Sequence, residues 1–276
     1  EEIPIKPVGT GPYKFVEWVK GQYIRLTASD NYWGKAPTVK DATIVARAET
    51  AVRAAMIRTG EADWAYDVSP EDAQKLPKYS AISSVETMVV RPDTENPVLK
   101  DKRVRTAMNL SIDRDTLIGK MFGGFVDPAK GQPFGEYVIG FNPDLKAYPF
   151  DLEQAKKLVA EAKAAGVPTD STELDYWAAK GRFPHLEEMS EVLADTWGKI
   201  GLKVKVNIAE QAKWREVHYS VGPGQKRPAM TISGHGNDLG DSAQTYDSYL
   251  ACTGRTSAYC NQALEEKSKK ASAAVG

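Results

Sequence analysis

The chain has 276 residues, and its 36 lysines and arginines against 37 aspartates and glutamates give a formal net charge of −1. This balance argues against a nucleic-acid-binding protein, which needs a concentrated basic surface to replace the phosphate counterions. The mean hydropathy is −0.43, and no apolar run approaches the roughly 18 residues of a membrane-spanning helix. The length predicts one large domain or two medium ones.

The N-terminal third of the chain predicts a mixed β and α unit. Aromatic and β-branched runs on either side of Lys20-Gly21 predict a β-hairpin. Serine, proline and two acidic residues over 69–72 are typical of a helix start. The predicted elements are strands over 13–18, 23–27, 42–46 and 62–68, a helix that ends at Gly60, and a short helix after Ser69.

The rest of the chain alternates predicted helices and strands, which is typical of an α/β domain. A polar segment with two prolines, 91–97, predicts a linker or crossover. Residues 123–149 predict a long loop, and such loops are usually functional or packed over another part of the protein. The predicted elements are helices over 101–110, 113–121 (capped by Ser111 or Asp113), 151–162 and 186–200, a short helix at Trp214, a helix from Leu264, and strands over 173–178, 202–208 and 229–233.

Cys252 and Cys260, the only cysteines, lie eight residues apart in a turn-like stretch. Such a pair can form a disulfide, which would stabilise the fold by about 2.5 kcal/mol in the chain-entropy model. The alternative is two unrelated thiols in a cytosolic protein. The three histidines form no closely spaced ligand set, so we predict neither a metal site nor a cofactor.

Several motifs, in order along nearly the whole chain, resemble those of the solute-binding proteins of ABC importers, specifically the peptide/nickel-binding family (family 5). The motifs are Pro7-Val-Gly-Thr-Gly-Pro-Tyr13, Glu17-Trp18, Asn31-Tyr-Trp-Gly34, Arg58-Thr-Gly-Glu-Ala-Asp63, Asp101-Lys-Arg-Val-Arg105, Ser111-Ile-Asp-Arg114, Asn142-Pro-Asp-Leu145, Tyr148-Pro149 and Ile200-Gly-Leu-Lys-Val204. The resemblance implies a two-lobed α/β fold of the periplasmic binding protein type, class II or cluster C.

The resemblance also implies a domain organisation. Members of the family are considerably longer, so we expect a fragment in which residues 1–91 are part of lobe I and residues 92–276 are most of lobe II. The N-terminal part of lobe I and the C-terminal return to it would be absent. The crossover over 88–97 would be one hinge strand. The parent protein would be periplasmic or, alternatively, a lipoprotein anchored outside the cell.

Asp238 is the main candidate for a ligand contact. In peptide-binding members an acidic residue just after the last strand meets the ligand's amino terminus, and by resemblance Asp238 occupies that position. A carboxylate bonded to a buried ammonium contributes roughly 1.5–3 kcal/mol. Asp241 is a second candidate. The alternative for both is a turn in which the carboxylates bind nearby backbone N–H groups.

Three further residues are candidates for the ligand site. Arg182 could pair with a ligand carboxylate, although a surface salt bridge or packing at a helix start is an alternative. Trp177, at a strand end, could face the cleft or pack in the core. His235 could contact the ligand or be an exposed or internally bonded histidine.

The resemblance implies a protein that is not an enzyme. It would be a monomeric substrate-binding component that captures short peptides between two lobes by hinge closure and delivers them to a membrane permease. Opines, glycosides and metal chelates are alternative ligands within the family. Two alternatives of other classes stay open: a cofactor-free, glycosidase-like hydrolase that uses Asp238 and Asp241, and a structural module without a ligand.

Overall fold

The computed structural model describes residues 7–82, 85–220 and 227–274. Within these ranges the chain forms a three-stranded sheet, followed by a four-stranded sheet with helices packed against it. The three-stranded sheet comes first in the chain. Together with two helices it forms the N-terminal unit, residues 7–82.

The N-terminal unit begins with an antiparallel sheet in the order β1-β2-β3. The strands are β1 (Tyr13–Val19), β2 (Tyr23–Ala28) and β3 (Asp41–Val45). Gly21 turns the β1–β2 hairpin with φ +76°, a conformation that glycine adopts without steric cost. The predicted hairpin and third strand are confirmed.

Two helices complete this unit. α1 (Thr50–Thr59) ends at Gly60, which has the left-handed conformation of a helix C-cap. α2 (Pro70–Ala73) is capped by Ser69, whose hydroxyl accepts the Asp72 N–H. Both helix boundaries follow from local signals in the sequence.

The predicted strand over 62–68 is wrong, because the structure has no strand between α1 and α2. Asp67 has φ +58°, which interrupts an extended backbone. The Arg53 guanidinium donates to the carbonyl oxygens of Ala48 and Asp67, each at 2.7 Å. The Arg53 side chain therefore donates hydrogen bonds to backbone carbonyl oxygens that would accept from a neighbouring strand in a sheet.

The four-stranded sheet has the order β4-β7-β5-β6. Its strands are β4 (Glu86–Pro92), β5 (Glu173–Ala179), β6 (Lys203–Ala209) and β7 (Met230–Gly236). β5 runs parallel to both β6 and β7, whereas β4 runs antiparallel to β7. One edge of the sheet therefore collects the carboxyl ends of β5, β6 and β7 and the amino end of β4. We call it the carboxyl edge.

Most of the helices after β4 lie where the sequence predicts them, whereas the two helical turns over 242–250 were not predicted. They are α3 (Lys102–Leu110), α4 (Arg114–Phe122), α5 (Leu152–Ala164), α6 (Leu186–Lys199), α7 (Gln211–His218), α8 (Ser242–Thr245), which continues into a π-helical turn (Tyr246–Leu250), and α9 (Gln262–Ala273). Asp113 caps α4 by accepting the Thr116 N–H, so Asp113 and not Ser111 is the cap. Residues 123–149 contain neither a helix nor a strand, as predicted.

The two faces of this sheet differ in chemistry. α3, α5 and α6 cover one face and bury an apolar core that includes Tyr176 and Trp197. Side chains alternate along a strand, so the residues between the core positions face the other side. That opposite face carries buried polar groups, among them Arg91 and Thr231, and it contacts His218 of α7.

β4 pairs with β7 along its whole length, from Glu86 opposite Gly236 to Pro92 opposite Met230. β4, which crosses the predicted domain boundary between residues 91 and 92, thus belongs to the four-stranded sheet. The division into 1–91 and 92–276 and the hinge over 88–97 stay predictions. In the described part of the chain, no helix is long and apolar enough to cross a membrane.

Candidate ligand-binding site

Two of the predicted ligand residues follow strands that end at the carboxyl edge. Asp238 comes two residues after the end of β7, and Arg182 comes three residues after the end of β5. β5 and β7 are parallel neighbours in the sheet. Ligands of open α/β sheets commonly bind outside the carboxyl ends of the strands, where loops from several strands meet. The fold therefore brings Asp238 and Arg182 to one edge.

The carboxyl edge faces the N-terminal unit. A Cβ atom on Gly181 would lie only 3.2 Å from the Ala48 carbonyl oxygen, so the two backbones pass close together there. At the start of α6, His185 Nε2 lies 3.1 Å from Glu71 Oε2 of α2. The candidate site thus lies where the four-stranded sheet meets the N-terminal unit.

Asp238 presents an exposed carboxylate at this edge. Its Oδ1 lies 3.2 Å from the position that a Cβ of Gly236 would take, so the side chain folds back over the end of β7. Its negative charge acts on the neighbouring Tyr137 and His235 and favours the protonated form of each. Within the described ranges no side chain or N–H group bonds to the Asp238 carboxylate, which leaves both oxygens free to accept from a ligand.

Asp241, in contrast, is engaged in the backbone of the turn. Its carboxylate accepts the Ala243 N–H at 2.8 Å and caps α8. The side chain of Asn237 binds both the N–H and the carbonyl oxygen of Asp241, at 3.0 and 2.8 Å. This geometry supports the turn-forming alternative for Asp241, and its role as a ligand contact stays a prediction.

His235 is buried beneath the carboxyl edge. Its Nε2 lies 2.7 Å from the Thr245 hydroxyl, and its ring packs edge-on against Tyr249 with a centroid distance of 4.5 Å. Burial lowers the pKa of His235, and the nearby Asp238 carboxylate partly opposes that effect. The geometry favours an internally bonded histidine that supports the end of β7.

Arg182 is held by aromatic rings. Its guanidinium lies 5.3 Å from the centroid of the Trp214 ring and 5.2 Å from that of Phe183. Cation–π contacts of this kind contribute about 1 kcal/mol. The described residues offer Arg182 no hydrogen-bond or ion-pair partner, and its Nε is buried. The rings therefore orient the guanidinium, and its donors have no partner among the described residues.

Trp177 lies far from Asp238 along the sheet. Its indole Nε1 donates to Asp175 Oδ2 at 2.9 Å, and the ring is half-buried. Trp177 pairs with Thr231, five residues before the end of β7, and at 3.3 Å per residue this places it about 17 Å from that end. Its indole is bonded to Asp175 of the same strand, and its role as a ligand contact stays a prediction.

Two residues that sequence reasoning did not single out also lie at this edge. Tyr137, in the loop over 123–149, donates its hydroxyl to the Val85 carbonyl oxygen next to β4. Phe183 packs so closely on β7 that a Cβ on Gly234 would lie 2.7 Å from its ring. The aromatic content of the loop was the only sequence signal for Tyr137, and it does not indicate where the ring lies.

Cys252 and Cys260 are joined as a disulfide in the structure, with their Cα atoms 4.4 Å apart. The geometry supports the predicted bond, and its presence in the protein is tested below. Among residues 7–82, 85–220 and 227–274 there is no group of three or more histidine, cysteine, aspartate or glutamate side chains that could hold a metal ion.

The sequence profile of one protein family, described as bacterial extracellular solute-binding proteins, family 5 (middle part), matches residues 1–257. The chain belongs to this family. The match accounts for the collinear motifs over the first 257 residues and for the mixed α/β fold.

The known relatives of this chain are binding proteins whose names give different ligands. The chain is 26% identical to the di/tripeptide-binding protein 2 of Pseudomonas aeruginosa, over 98% of its own length and 51% of the relative's. It is 29% identical to the heme-binding protein A of Haemophilus influenzae, over 78% and 40% of the two lengths. The chain thus spans about half the length, or less, of the curated relatives it matches.

The fold agrees with a solved structure as well. The periplasmic binding protein DppA of Helicobacter pylori, solved in complex with the peptide STSA, superposes with a TM-score of 0.79 at 24% identity. The superposition covers 96% of this chain and 52% of DppA. The fold is therefore that of a periplasmic binding protein of family 5, and the alternative of a hydrolase finds no support.

Proposed function

We propose that this chain is part of the substrate-binding component of an ABC importer and that its ligands are short peptides. The observation that carries the proposal is the free carboxylate of Asp238 at the carboxyl edge, with the unpaired Arg182 guanidinium after the adjacent strand. A peptide has an ammonium group at one end and a carboxylate at the other. A site with one free group of each charge is complementary to such a ligand.

Each group has a defined task in this proposal. Asp238 accepts the hydrogen bonds of the ligand's ammonium group, and no internal donor within the described ranges competes for it. Arg182 donates to the ligand's carboxylate, and the rings of Trp214 and Phe183 keep its side chain from folding away. Because part of the entropy of ordering Arg182 is already lost in the free protein, binding costs less.

In this mechanism the protein would bind its ligand and release it unchanged. The N-terminal unit and the four-stranded sheet would close around the ligand by hinge motion, and a membrane permease would recognise the closed form. The peptide ligands of the Pseudomonas and Helicobacter relatives support this reading. A periplasmic location, the monomeric state, the permease partner and the absence of turnover are parts of the same proposal.

The proposal is tested by replacing Asp238 with asparagine in the complete protein that carries this chain. We expect Asp238→Asn to weaken the binding of a tripeptide roughly 10- to 100-fold, because the charge-assisted bond to the ammonium is worth about 1.5–3 kcal/mol. Isothermal titration calorimetry measures the affinity.

Asp241→Asn is the matched control. Asparagine caps a helix about as well as aspartate, so this variant should keep both its fold and its affinity. Equal affinities of Asp238→Asn and the unmodified protein would overturn the assignment of Asp238. Turnover of any glycoside or peptide would overturn the proposed function itself.

A further inference from the structure

The loop over 123–149 reaches the candidate site and is fixed there. Ile139 donates its N–H to the Gly240 carbonyl oxygen at 2.8 Å, and the Ser242 N–H returns a bond to the Ile139 carbonyl oxygen at 3.0 Å. These two bonds form a parallel bridge between the loop and the turn that carries Asp238. The backbone around Asp238 is thus held from two sides.

Three apolar side chains next to Asp238 stay exposed. Ile139 is 72% exposed, Leu239 is 78% exposed and Tyr137 is 48% exposed. We call Tyr137, Ile139 and Leu239 the apolar collar. Single exposed apolar residues are ordinary, but these three lie on two hydrogen-bonded segments, and Tyr137 is near enough to Asp238 for its charge to act on the hydroxyl.

Hydrogen bonds hold the backbone segments that carry the collar, and they also hold the Tyr137 hydroxyl. The Tyr137 hydroxyl is engaged by the Val85 carbonyl oxygen, so the rest of the ring is left as an apolar surface. The Leu239 N–H donates to Gln244 Oε1 at 3.1 Å. Gly140 has φ +95°, and a Cβ there would collide with the Ser242 hydroxyl, so the bridge requires glycine at that position.

We propose that the apolar collar binds the first side chain of the ligand and selects peptides whose amino-terminal residue is apolar. The inference rests on the proposed function. The Asp238 carboxylate defines where the ligand's ammonium group lies, and the first side chain of a peptide branches from the carbon atom that carries this group. A peptide with an apolar first residue would therefore place its ammonium group at Asp238 and its first side chain at the collar.

Calorimetry on the complete protein tests the inference with leucyl-glycyl-glycine, triglycine and their N-acetylated forms. We expect leucyl-glycyl-glycine to bind about tenfold more tightly than triglycine, because burial of part of a leucine side chain lowers the binding free energy. The double variant Ile139→Ser/Leu239→Ser should abolish this preference and leave the affinity for triglycine unchanged. Both side chains are exposed, so the substitutions remove no core contact.

A control separates the collar from general effects on the loop. Leu145→Ser replaces another exposed leucine of the same loop, which lines a different pocket together with Tyr148, and it should keep the preference.

The outcomes distinguish this inference from the proposed function. If acetylation weakens binding of both peptides but leucyl-glycyl-glycine and triglycine bind equally, Asp238 has its proposed role and the collar does not. A preference that survives in the double variant would also overturn the inference. If none of these peptides binds, the proposed function fails and the inference fails with it.

Discussion

At the residue scale, His218 illustrates how burial controls a titratable group in this protein. Its ring stacks on Trp214 at a centroid distance of 4.5 Å, and its Nδ1 lies 2.9 Å from the Thr231 hydroxyl. Burial, assisted by the positive charges of Arg91 and Arg182, lowers the pKa of His218 to about 3. The imidazole is therefore neutral at physiological pH.

We predict that His218 contributes to acid sensitivity. An unfolded histidine has a pKa near 6.5, so between about pH 6.5 and pH 3 the unfolded state binds more protons than the folded state. The free energy of unfolding should therefore fall as the pH falls through this range. In His218→Gln the fall between pH 7 and pH 4.5 should be smaller, as measured by urea unfolding at both values. Equal slopes in the two proteins would contradict the prediction.

Sequence reasoning was effective for single residues only where a short motif decided their role. The Asp151 cap of α5 and the Gly60 cap of α1 are local features that a sequence pattern predicts. Asp238 and Asp241 are both acidic residues of one turn, and nothing in the sequence says which one is engaged. The difference follows from Asn237 and α8, which bond to Asp241 and leave the Asp238 carboxylate exposed.

At the scale of elements, the segment closed by Cys252 and Cys260 holds β4 in place. The Arg91 guanidinium donates to the Thr256 carbonyl oxygen inside this segment. The N–H and hydroxyl of Thr94 donate to the Ala258 carbonyl oxygen at 2.9 and 2.8 Å. Burial lowers the pKa of Arg91 to about 10, which leaves it charged at neutral pH. The disulfide-closed segment thus contacts β4 and the residues after it, within the crossover predicted over 88–97.

We predict that the Cys252→Ser/Cys260→Ser variant is less stable by about 2.5 kcal/mol, because the open chain gains conformational entropy when it unfolds. Urea unfolding without reductant measures the difference. With reductant present, the unmodified protein should approach the stability of the variant. Two reactive thiols per chain in the unfolded, unreduced protein would show that the disulfide is absent.

Element types were predictable where the hydrophobic periodicity was regular, as in α5, α6 and β6, and in α5 the predicted Asp151 cap agrees with it. The expected strand over 62–68 failed because the left-handed backbone at Asp67 and the bonds from Arg53 outweigh the strand preference of the residues. Neither effect is visible in a local pattern. The pairing of β4 with β7, residues that lie more than a hundred positions apart in sequence, could not be read from periodicity either.

At the scale of the whole molecule, the chain presents large aromatic side chains to solvent in its N-terminal unit. Trp33 is 83% exposed and Trp64 is 76% exposed. The chain also spans only about half the length of the curated relatives it matches.

We predict that these 276 residues alone bind peptides only weakly, because in the proposed two-lobed organisation part of the surface that encloses the ligand would lie outside them. In calorimetry with leucyl-glycyl-glycine, the isolated chain should show a dissociation constant well above the micromolar range. Binding by the complete protein is the matched comparison. Micromolar or tighter binding by the isolated chain would contradict this expectation.

The amino-acid sequence by itself determined the family, the α/β class, most element boundaries and the position of Asp238 after the last strand. These properties depend on short motifs, on hydrophobic periodicity and on caps within a few residues. Only the tertiary structure decided that Asp238 is free, that Asp241 caps a helix, that Trp177 lies far from both, and that Tyr137 and Ile139 reach the same edge. Those outcomes depend on contacts between distant segments, because a side chain's role is set by the partners that the fold brings to it.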